Sequence, residues 1–308
     1  MESATAEARP RGMAAPSRAW SWLRRRALNI YVALALAYML VPIAVIAVFS
    51  FVEASANRDR LTFAIRDGFT LEYWENAFSI PDLNDALITS FGLAAASTVA
   101  STAIGTLMAI ALVRHRFFGH RAANLLIILP MATPEIVLGA SLLSMFLIYS
   151  VPLGFESLLI AHIMFSISFV VVVVRSRLIG FDRSIEAAAA DLGATPIQTF
   201  RYVTLPLLAP GVLAAALLAF ALSVDDFIVS DFNKGTTETY PLYVFAAHLR
   251  GVPVQVNVLA TMLFALTVIA IVLVLWQQRR AERLAATRPD DREESFSTAP
   301  LAPGSARG

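Results

Sequence analysis

Three carboxylates interrupt long apolar stretches of this sequence and are the side chains best suited to do chemistry. Glu135 lies in the apolar stretch 125–149, and Asp225 and Asp226 lie side by side in the stretch 211–232. A charged side chain at the centre of a membrane helix costs roughly 2.5 to 3.5 kcal/mol on insertion scales, so something must compensate it. We therefore expect these carboxylates to line a cation path or to have structural partners.

Glu135 has two compatible interpretations. It lies about 11 residues into its stretch, which places it near the middle of a bilayer. Thr133, Pro134 and Glu135 also have the order of a cap, a first-position proline and a first-turn acid. This order predicts a helix that restarts here.

Asp225 and Asp226 point about 100° apart on a helix, so both cannot face one cavity equally. Asp226 belongs to a polar stripe of one helix face, made of Ser223, Asp226, Ser230 and Asn233. We expect Asp226, with Ser223 and Ser230, to face a translocation cavity and Asp225 to lie at a helix contact. The alternative is that both carboxylates reach the outer water layer by snorkelling.

Catalytic and cofactor motifs are missing from the sequence, so we expect a protein that is not an enzyme and that holds neither metal nor cofactor. The chain has no cysteine, and Lys234 lacks the glycines and hydroxyl residue of a phosphate-binding loop. If ATP drives this protein, another subunit must bind it. His162 has no partner at metal-ligand spacing and is expected to be a hydrogen-bonded interior side chain.

The composition is that of a membrane protein, with 57% hydrophobic and 15% charged residues. We predict an all-α membrane protein with six transmembrane helices. The predicted spans are 29–52, 86–113, 125–149, 158–174, 211–232 and 258–276. Pro130 and Pro134 should break the third span, and Trp276 with Arg279 and Arg280 should anchor the last one at the interface.

Four regions follow from these spans. Residues 1–28 form a polar tail, 29–85 the first helix and an outer loop, 86–277 the core, and 278–308 a second polar tail expected to be disordered. The first apolar run exceeds the length of a signal-peptide core and is taken as a retained helix. The outer loop contains an amphipathic piece, 69–74, expected at the membrane surface.

The distribution of basic residues orients the helices. With both termini inside, 19 of the 24 basic residues lie on the cytoplasmic side. The positive-inside rule therefore places both termini and the segment 182–206 in the cytoplasm.

Residues 182–206, named the polar hairpin below, are the main polar interruption of the apolar core. Ser184 should cap a first helix that Gly193 ends in a left-handed conformation. Thr195 and Gln198 should form a capping box for a second helix, and Pro206 should end the unit. Such a compact, alanine-rich unit has the form of a docking element.

The polar hairpin resembles the coupling loop of ABC importer permeases. That signature is Glu-Ala-Ala, three residues, Gly, nine residues, Ile or Val, one residue and Leu-Pro. The matching positions are Ala188, Ala189, Gly193, Val203, Leu205 and Pro206. The signature glutamate position is Ala187, and the acid stands one place earlier, at Glu186, about 100° around the helix. The resemblance implies a type I ABC importer permease fold whose hairpin, including Glu186, couples to an ATPase.

Further stretches resemble the permeases of spermidine/putrescine importers, in particular the second of their two permease subunits. They are residues 134–139, 222–226, 251–253 and 256–261. The resemblance implies a bacterial inner-membrane subunit that forms half of a polyamine pathway. It also implies three partners, namely an ABC ATPase dimer, a second permease subunit and an extracytoplasmic substrate-binding protein. Membrane lipid surrounds such a subunit, and we expect no nucleic acid partner.

Other functions remain open at this point. An ABC permease for another small solute, such as an amine, phosphonate, sulfate or iron complex, would share the hairpin. An ion-coupled secondary transporter would also use intramembrane carboxylates, but it would not need a capped docking hairpin. A membrane-embedded enzyme is disfavoured because no nucleophile, base or metal set converges.

Overall fold

The computed structural model of the chain describes residues 18–52 and 68–286. Regular secondary structure in these ranges is helical, and one isolated bridge joins Val52 and Phe69. The all-α prediction is therefore confirmed. Parts of the predicted tails and of the outer loop, residues 1–17, 53–67 and 287–308, lie outside the described residues.

Twelve α-helices and one π-helical turn follow one another within the described ranges. They are α1 (Arg18–Phe49), α2 (Glu72–Glu75), α3 (Pro81–Arg114), α4 (His120–Ala132), α5 (Glu135–Ile148), α6 (Phe155–Ile179), α7 (Ser184–Asp191), α8 (Pro196–Thr199), the π turn (Phe200–Thr204), α9 (Leu205–Asp225), α10 (Ile228–Asn233), α11 (Tyr240–Arg250) and α12 (Val254–Ala286). The chain divides into two compact units.

The first unit contains, among the described residues, 18–52, 68–75 and 257–286. The amphipathic piece 69–74 is attached to the end of α1, because Phe51 stacks on Trp74 with ring centroids 4.9 Å apart. The amide of Thr70 also donates to the carbonyl of Phe51 over 2.8 Å. The side chains of α1 from residue 28 onward are largely exposed, so this apolar helix is available to lipid or to another subunit.

The last helix is longer than the sequence predicted. It begins at Val254 rather than 258 and continues to Ala286, beyond the predicted boundary at 277. Arg280 lies over the ring of Trp276, with the guanidinium carbon 5.4 Å from the ring centroid. This cation–π contact joins two of the three residues predicted to anchor the helix at the interface.

The second unit, residues 76–256, is built around α3, α6 and α9, which pack against one another. Their shared core contains Val170, Val174 and Leu208, each fully buried. Small residues let these helices approach closely. A Cβ atom at Gly105 of α3 would lie 2.6 Å from Cγ1 of Val170 on α6, so this position requires glycine.

The third predicted span is sharply bent. α4 and α5 meet at an angle of 112°. The break lies at Pro134, because the residue before a proline avoids the helical conformation, and Thr133 is accordingly extended with ψ 132°. Pro130 lies inside α4 and does not break it. The hydroxyl of Thr133 donates to the carbonyl of Leu129, so the predicted cap at Thr133 is wrong, whereas Glu135 does begin the new helix.

Four helices of the described chain are long and apolar enough to cross a membrane, or five if the bent pair is one span. They are 26–49, 81–114, 155–179 and 196–225. The fifth predicted span, 211–232, is not continuous, since α9 ends at Asp225 and α10 begins at Ile228. α12 contributes a shorter apolar stretch, Val254–Ile269.

Candidate functional site

The polar hairpin opens with α7, whose first turn is capped by Asp182. The carboxylate of Asp182 accepts from the amide of Ser184 over 2.9 Å and from its hydroxyl over 2.7 Å. The predicted cap at Ser184 is therefore wrong, because the carboxylate two residues earlier is the stronger acceptor and uses the serine as a donor. The backbone hydrogen bond from Ser184 lowers the pKa of Asp182.

Gly193 ends α7 as predicted. Its φ is 85°, in the left-handed region, and Leu192 is the last half-helical residue. The amide of Gly193 donates to the carbonyl of Ala190, and the amide of Ala194 donates to that of Ala189. These two bonds form a Schellman motif, which satisfies the free carbonyls at the end of α7 and fixes the turn.

The second helix of the hairpin starts as predicted but does not end where predicted. The amide of Thr195 donates to Oε1 of Gln198 over 2.8 Å, and the amide of Gln198 donates to the hydroxyl of Thr195, which confirms the capping box. Pro206, however, lies within the helix near the start of α9. A proline ring clashes with the carbonyl four residues earlier, which here is that of Tyr202. Tyr202 lies in the π turn, whose wider backbone makes room for the ring, so the helix continues through Pro206. The hairpin therefore runs directly into a membrane helix.

Glu186 attaches the hairpin to the rest of its own chain. Both carboxylate oxygens accept from the guanidinium group of Arg114, the last residue of α3, and the Nη2–Oε1 distance is 2.8 Å. The hydroxyl of Thr204, in the π turn, donates to the same carboxylate. The hydrogen bond from Arg114 lowers the pKa of Glu186. The carboxylate is thus directed toward α3 and is only 15% exposed.

The opposite side of the hairpin is apolar and exposed. Leu192 at the Schellman turn is 90% exposed, and Ile197 and Tyr202 are also largely exposed. Of the signature positions, Ala188, Gly193, Leu205 and Pro206 are exposed, and Ala189 and Val203 are half-buried. Large apolar side chains held at the tip of a polar segment are typical of a docking surface.

A second cluster of the candidate residues lies where α9 stops. Asp226 has extended backbone, with ψ 122°, and its carboxylate accepts from the amides of Val229 and Ser230 at 3.3 and 2.8 Å. The hydroxyl of Ser230 donates to the same carboxylate. Asp226 therefore caps the first turn of α10, and the break in the helix follows from this capping.

His162 of α6 lies at the centre of this cluster. Its Nδ1 is 2.7 Å from the hydroxyl of Ser223, and its Nε2 is 2.9 Å from the hydroxyl of Ser230 and 3.4 Å from the carboxylate of Asp226. The hydroxyl of Ser97, on α3, lies 3.1 Å from that of Ser223. The prediction that His162 is a hydrogen-bonded interior side chain is confirmed.

The polar stripe predicted on one helix face is present but turned inward. Ser223, Ser230 and Asn233 are buried, and the side chain of Asp226 is only 6% exposed. Asp225 and Glu135, by contrast, are exposed. Within this chain, then, Asp225 is the exposed carboxylate of the pair and Asp226 the buried one. The extended residue between α9 and α10 changes the direction of the chain and places Asp226 against His162.

No group of three or more potential metal ligands occurs among the residues that the structure describes. Asp226 and His162 form a close pair, but the other neighbours of the ring are serine hydroxyls. The cluster is therefore a hydrogen-bonded network that joins α3, α6, α9 and α10.

Sequence reasoning missed two partners. It did not connect Arg114 with Glu186. The usable signal was an arginine at the predicted cytoplasmic end of one span and, in the polar hairpin, a glutamate one residue away from its signature position. It also treated His162 separately from Asp226 and the two serines, because the network joins residues that lie on different helices. Polar residues at helical spacing on two apolar stretches are the only trace of this network in the sequence.

Comparison with known proteins connects these features to a family. Residues 101–284 match the family model described as binding-protein-dependent transport system inner membrane component. The spermidine/putrescine transport system permease protein PotC of Haemophilus influenzae is 37% identical over 246 residues, 80% of this chain and 93% of that protein. The putrescine transport system permease protein PotI of Escherichia coli is 36% identical over 212 residues, 65% of this chain and 75% of that protein.

A solved structure of similar fold is that of a bacterial ABC transporter involved in the import of the acidic polysaccharide alginate. Its matched chain has a TM-score of 0.60 at 14% identity, covering 88% of this chain and 100% of the other. At this identity the likeness concerns the fold alone. The family match and the extended identity to the two permeases show that this chain belongs to the binding-protein-dependent transport system inner membrane components, the permease subunits of ABC importers.

Proposed function

We propose that this chain is the permease subunit of an ATP-driven importer of polyamines, putrescine or spermidine, and that it forms half of the translocation pathway. The observation that carries the proposal is the 37% identity over 80% of the chain to a permease named for spermidine and putrescine. A second relative, 36% identical, is named for putrescine alone, so the choice between the two polyamines belongs to the test.

The chemistry of the exposed carboxylates supports a cationic substrate. Alkyl amines have pKa values near 10.4, so a polyamine carries about two to four positive charges at neutral pH. Glu135, at the bend between α4 and α5, and Asp225, at the end of α9, are exposed in this chain. We assign these two carboxylates to the pathway, where a passing cation would offset the cost of placing them in the membrane. Asp226, Ser223 and Ser230, which bond to the buried His162, are assigned to holding the end of α9 and the start of α10 in place beside this pathway.

The proposed topology has six membrane-spanning segments with both termini in the cytoplasm. The bent pair of α4 and α5 then counts as one span, and α12 supplies the last. The excess of basic residues, 19 of 24, in the segments assigned to the cytoplasm supports this orientation. The polar hairpin then faces an ABC ATPase dimer. A second permease subunit completes the pathway, and a substrate-binding protein delivers the polyamine from outside.

Coupling to the ATPase is assigned to the exposed face of the hairpin. Leu192, Ile197 and Tyr202 provide apolar contact area, while the small side chains of Ala188 and Ala189 allow a close approach. Motion at this face has two routes into the membrane. One is the ion pair of Glu186 with α3, and the other is the run from α8 through the π turn into α9.

Uptake of labelled putrescine and spermidine tests the proposal. Cells with and without the gene are compared at matched membrane potential, with ATP depleted independently of the ion gradient. We expect gene-dependent uptake that stops when ATP is depleted. Gene-dependent uptake that follows the ion gradient instead would establish a secondary transporter. If deletion of the gene reduces the uptake of neither putrescine nor spermidine, the proposed substrate class is overturned.

A further inference from the structure

His162 lies against both sides of the break between α9 and α10. Its Nδ1 contacts Ser223, in the last turn of α9, and its Nε2 contacts Ser230, in the first turn of α10, and Asp226, which lies between the two helices. One imidazole ring thus bonds to two helix ends through atoms on opposite sides of the ring. The ring itself is 2% exposed on α6, one of the three central helices of its unit.

The hydrogen bonds around the ring have a consistent direction. The carboxylate of Asp226 only accepts, so the hydroxyl of Ser230 donates to it, and Nε2–H of His162 must then donate to the oxygen of Ser230. In a neutral ring Nδ1 accepts from the hydroxyl of Ser223, whose oxygen is free to accept from Ser97. Every polar atom of the ring is therefore used to hold the two helix ends.

α10 has a second attachment to α6, at its other end. The hydroxyl of Ser157 donates to the carbonyl of Asn233, the last residue of α10, over 2.8 Å. The side-chain amide of Asn233 also donates to the carbonyl of Gly139 on α5. Since α10 is fixed at both ends, the direction of the link between the helices, residues 226 and 227, is set by the contacts of His162. Asp225, the last residue of α9, adjoins this link and is exposed.

We propose that His162 is a positioning residue of the translocation pathway, which fixes the break between α9 and α10 and thereby directs the carboxylate of Asp225. The assignment of Asp225 to the pathway belongs to the proposed function, but the positioning role of His162 is tested separately from it. Loss of either contact of the ring would allow the link to rotate. In the structure Asp225 is exposed and its neighbour Val224 is half-buried, and this difference in exposure would then become smaller.

Thiol labelling measures this direction, and the absence of cysteine from the native chain makes it practicable. Asp225→Cys and Val224→Cys are made singly, and the permease is expressed with its partner subunits in membranes. Each variant is treated with a membrane-impermeant cationic methanethiosulfonate. With His162 in place we expect the position 225 thiol to react about tenfold faster than the position 224 thiol. A hydrogen bond of ordinary strength favours one orientation of the link over another by about this factor.

His162→Ala should reduce the ratio of the two rates to within about threefold, since a contact worth roughly a factor of ten is lost. His162→Gln, which retains one donor and one acceptor, should preserve more of the ratio than His162→Ala. Ser223→Ala, which removes one side only, provides a second route if His162→Ala fails to assemble. Ser168→Ala, a buried serine of α6 farther along the helix, is the matched control and should leave the ratio unchanged.

An unchanged ratio in both His162→Ala and Ser223→Ala would overturn the positioning role. A different outcome bears on the proposed function instead. If the position 225 thiol reacts with a lipid-soluble thiol reagent and not with the cationic one, Asp225 faces lipid and its pathway role falls. The response of the lipid-soluble rates to His162→Ala would then still decide the positioning role.

Discussion

The guanidinium group of Arg114 and the carboxylate of Glu186 form a two-pronged ion pair between residues 72 positions apart. The pair joins the last residue of α3 to the first turn of α7, and Thr204 adds a third hydrogen bond from the π turn. An arginine fork matched to a carboxylate is directional as well as strong. The acid displaced by one residue from the signature position is therefore used inside the chain, and the hairpin is attached to the membrane helices through it.

Charge reversal tests whether this ion pair carries coupling. Glu186→Arg and Arg114→Glu, made singly, place like charges together and should reduce coupled uptake about tenfold or more, because a charge-assisted hydrogen bond contributes roughly 1.5 to 3 kcal/mol. The double variant restores opposite charges and should recover a substantial part of the uptake. ATP-dependent polyamine uptake and ATP hydrolysed per polyamine are measured in the assembled transporter.

Arg116→Glu is the matched control, because Arg116 is exposed two residues beyond Arg114. It should change uptake little. Failure of the double variant to recover, with each single variant assembled at native levels, would indicate that Glu186 acts on the ATPase rather than on α3.

The same ion pair predicts how stability depends on pH. The hydrogen bond from Arg114 lowers the folded-state pKa of Glu186 below the unfolded value of about 4.3. Ionised Glu186 therefore stabilises the fold fully above about pH 4.3, and this contribution is lost as the pH falls through the folded pKa. The difference in Tm between the native complex and its Glu186→Gln variant should be constant at neutral pH and shrink in acid. A difference that grows in acid would contradict the ion pair.

Local features of the hairpin were predictable because they depend on nearest neighbours. A glycine after an alanine-rich turn predicted the left-handed end at Gly193, and the spacing of Thr195 and Gln198 predicted their capping box. The cap of α7 was misassigned because Asp182 and Ser184 are both good caps, and only the structure shows which group accepts.

Features that depend on distant residues were not predictable in the same way. The apolar pattern of 211–232 continues across Asp225 and Asp226, so it does not reveal that α9 stops there. The break exists because Asp226 caps α10 and contacts His162, 64 positions away on α6. The course of the chain through Pro206 was likewise hidden, because a proline ends most helices and the π turn before it is not visible in composition.

Gly193 should be sensitive to substitution because of its backbone conformation alone. A Cβ atom there would meet no atom within 4 Å, but φ is 85°. Gly193→Val should destabilise the turn by roughly 1 to 3 kcal/mol and lower the uptake obtained per ATP hydrolysed. Gly193→Asn should be tolerated better, because asparagine adopts the left-handed conformation more readily. Equal coupling in the valine and native proteins would contradict a docking role that depends on this turn.

Leu192 should matter for assembly and little for the stability of the chain itself. It is 90% exposed, so Leu192→Gln removes no packing within the chain, yet it removes apolar area from the face assigned to the ATPase. We expect weaker co-purification of the ATPase and an unchanged Tm of the permease without it. Asp191→Asn, at the adjacent exposed position, is the control. Native co-purification from the Leu192→Gln variant would place the docking surface elsewhere.

Asp225 should affect transport without affecting folding. Its side chain is exposed, so Asp225→Asn removes a charge from the proposed pathway and leaves packing intact. We expect reduced uptake, with a larger reduction for spermidine than for putrescine because the more highly charged cation gains more from each carboxylate. The amount of assembled complex is measured alongside uptake. Native uptake of both polyamines would remove Asp225 from the pathway.

Asp226 should affect folding more than transport, because its carboxylate accepts hydrogen bonds within the chain. Asparagine is as good a helix cap as aspartate, so Asp226→Asn keeps one accepting oxygen for Ser230 and weakens the longer bond from the Val229 amide and the contact with His162. Asp226→Ala loses the cap and leaves the hydroxyl and amide of Ser230 without their acceptor, at a cost of roughly 1 to 3 kcal/mol. We therefore expect Tm and assembly to fall more in the alanine variant than in the asparagine variant. If both variants assemble with native Tm and lose uptake equally, Asp226 contacts the substrate directly and does not act through the buried hydrogen-bonded network.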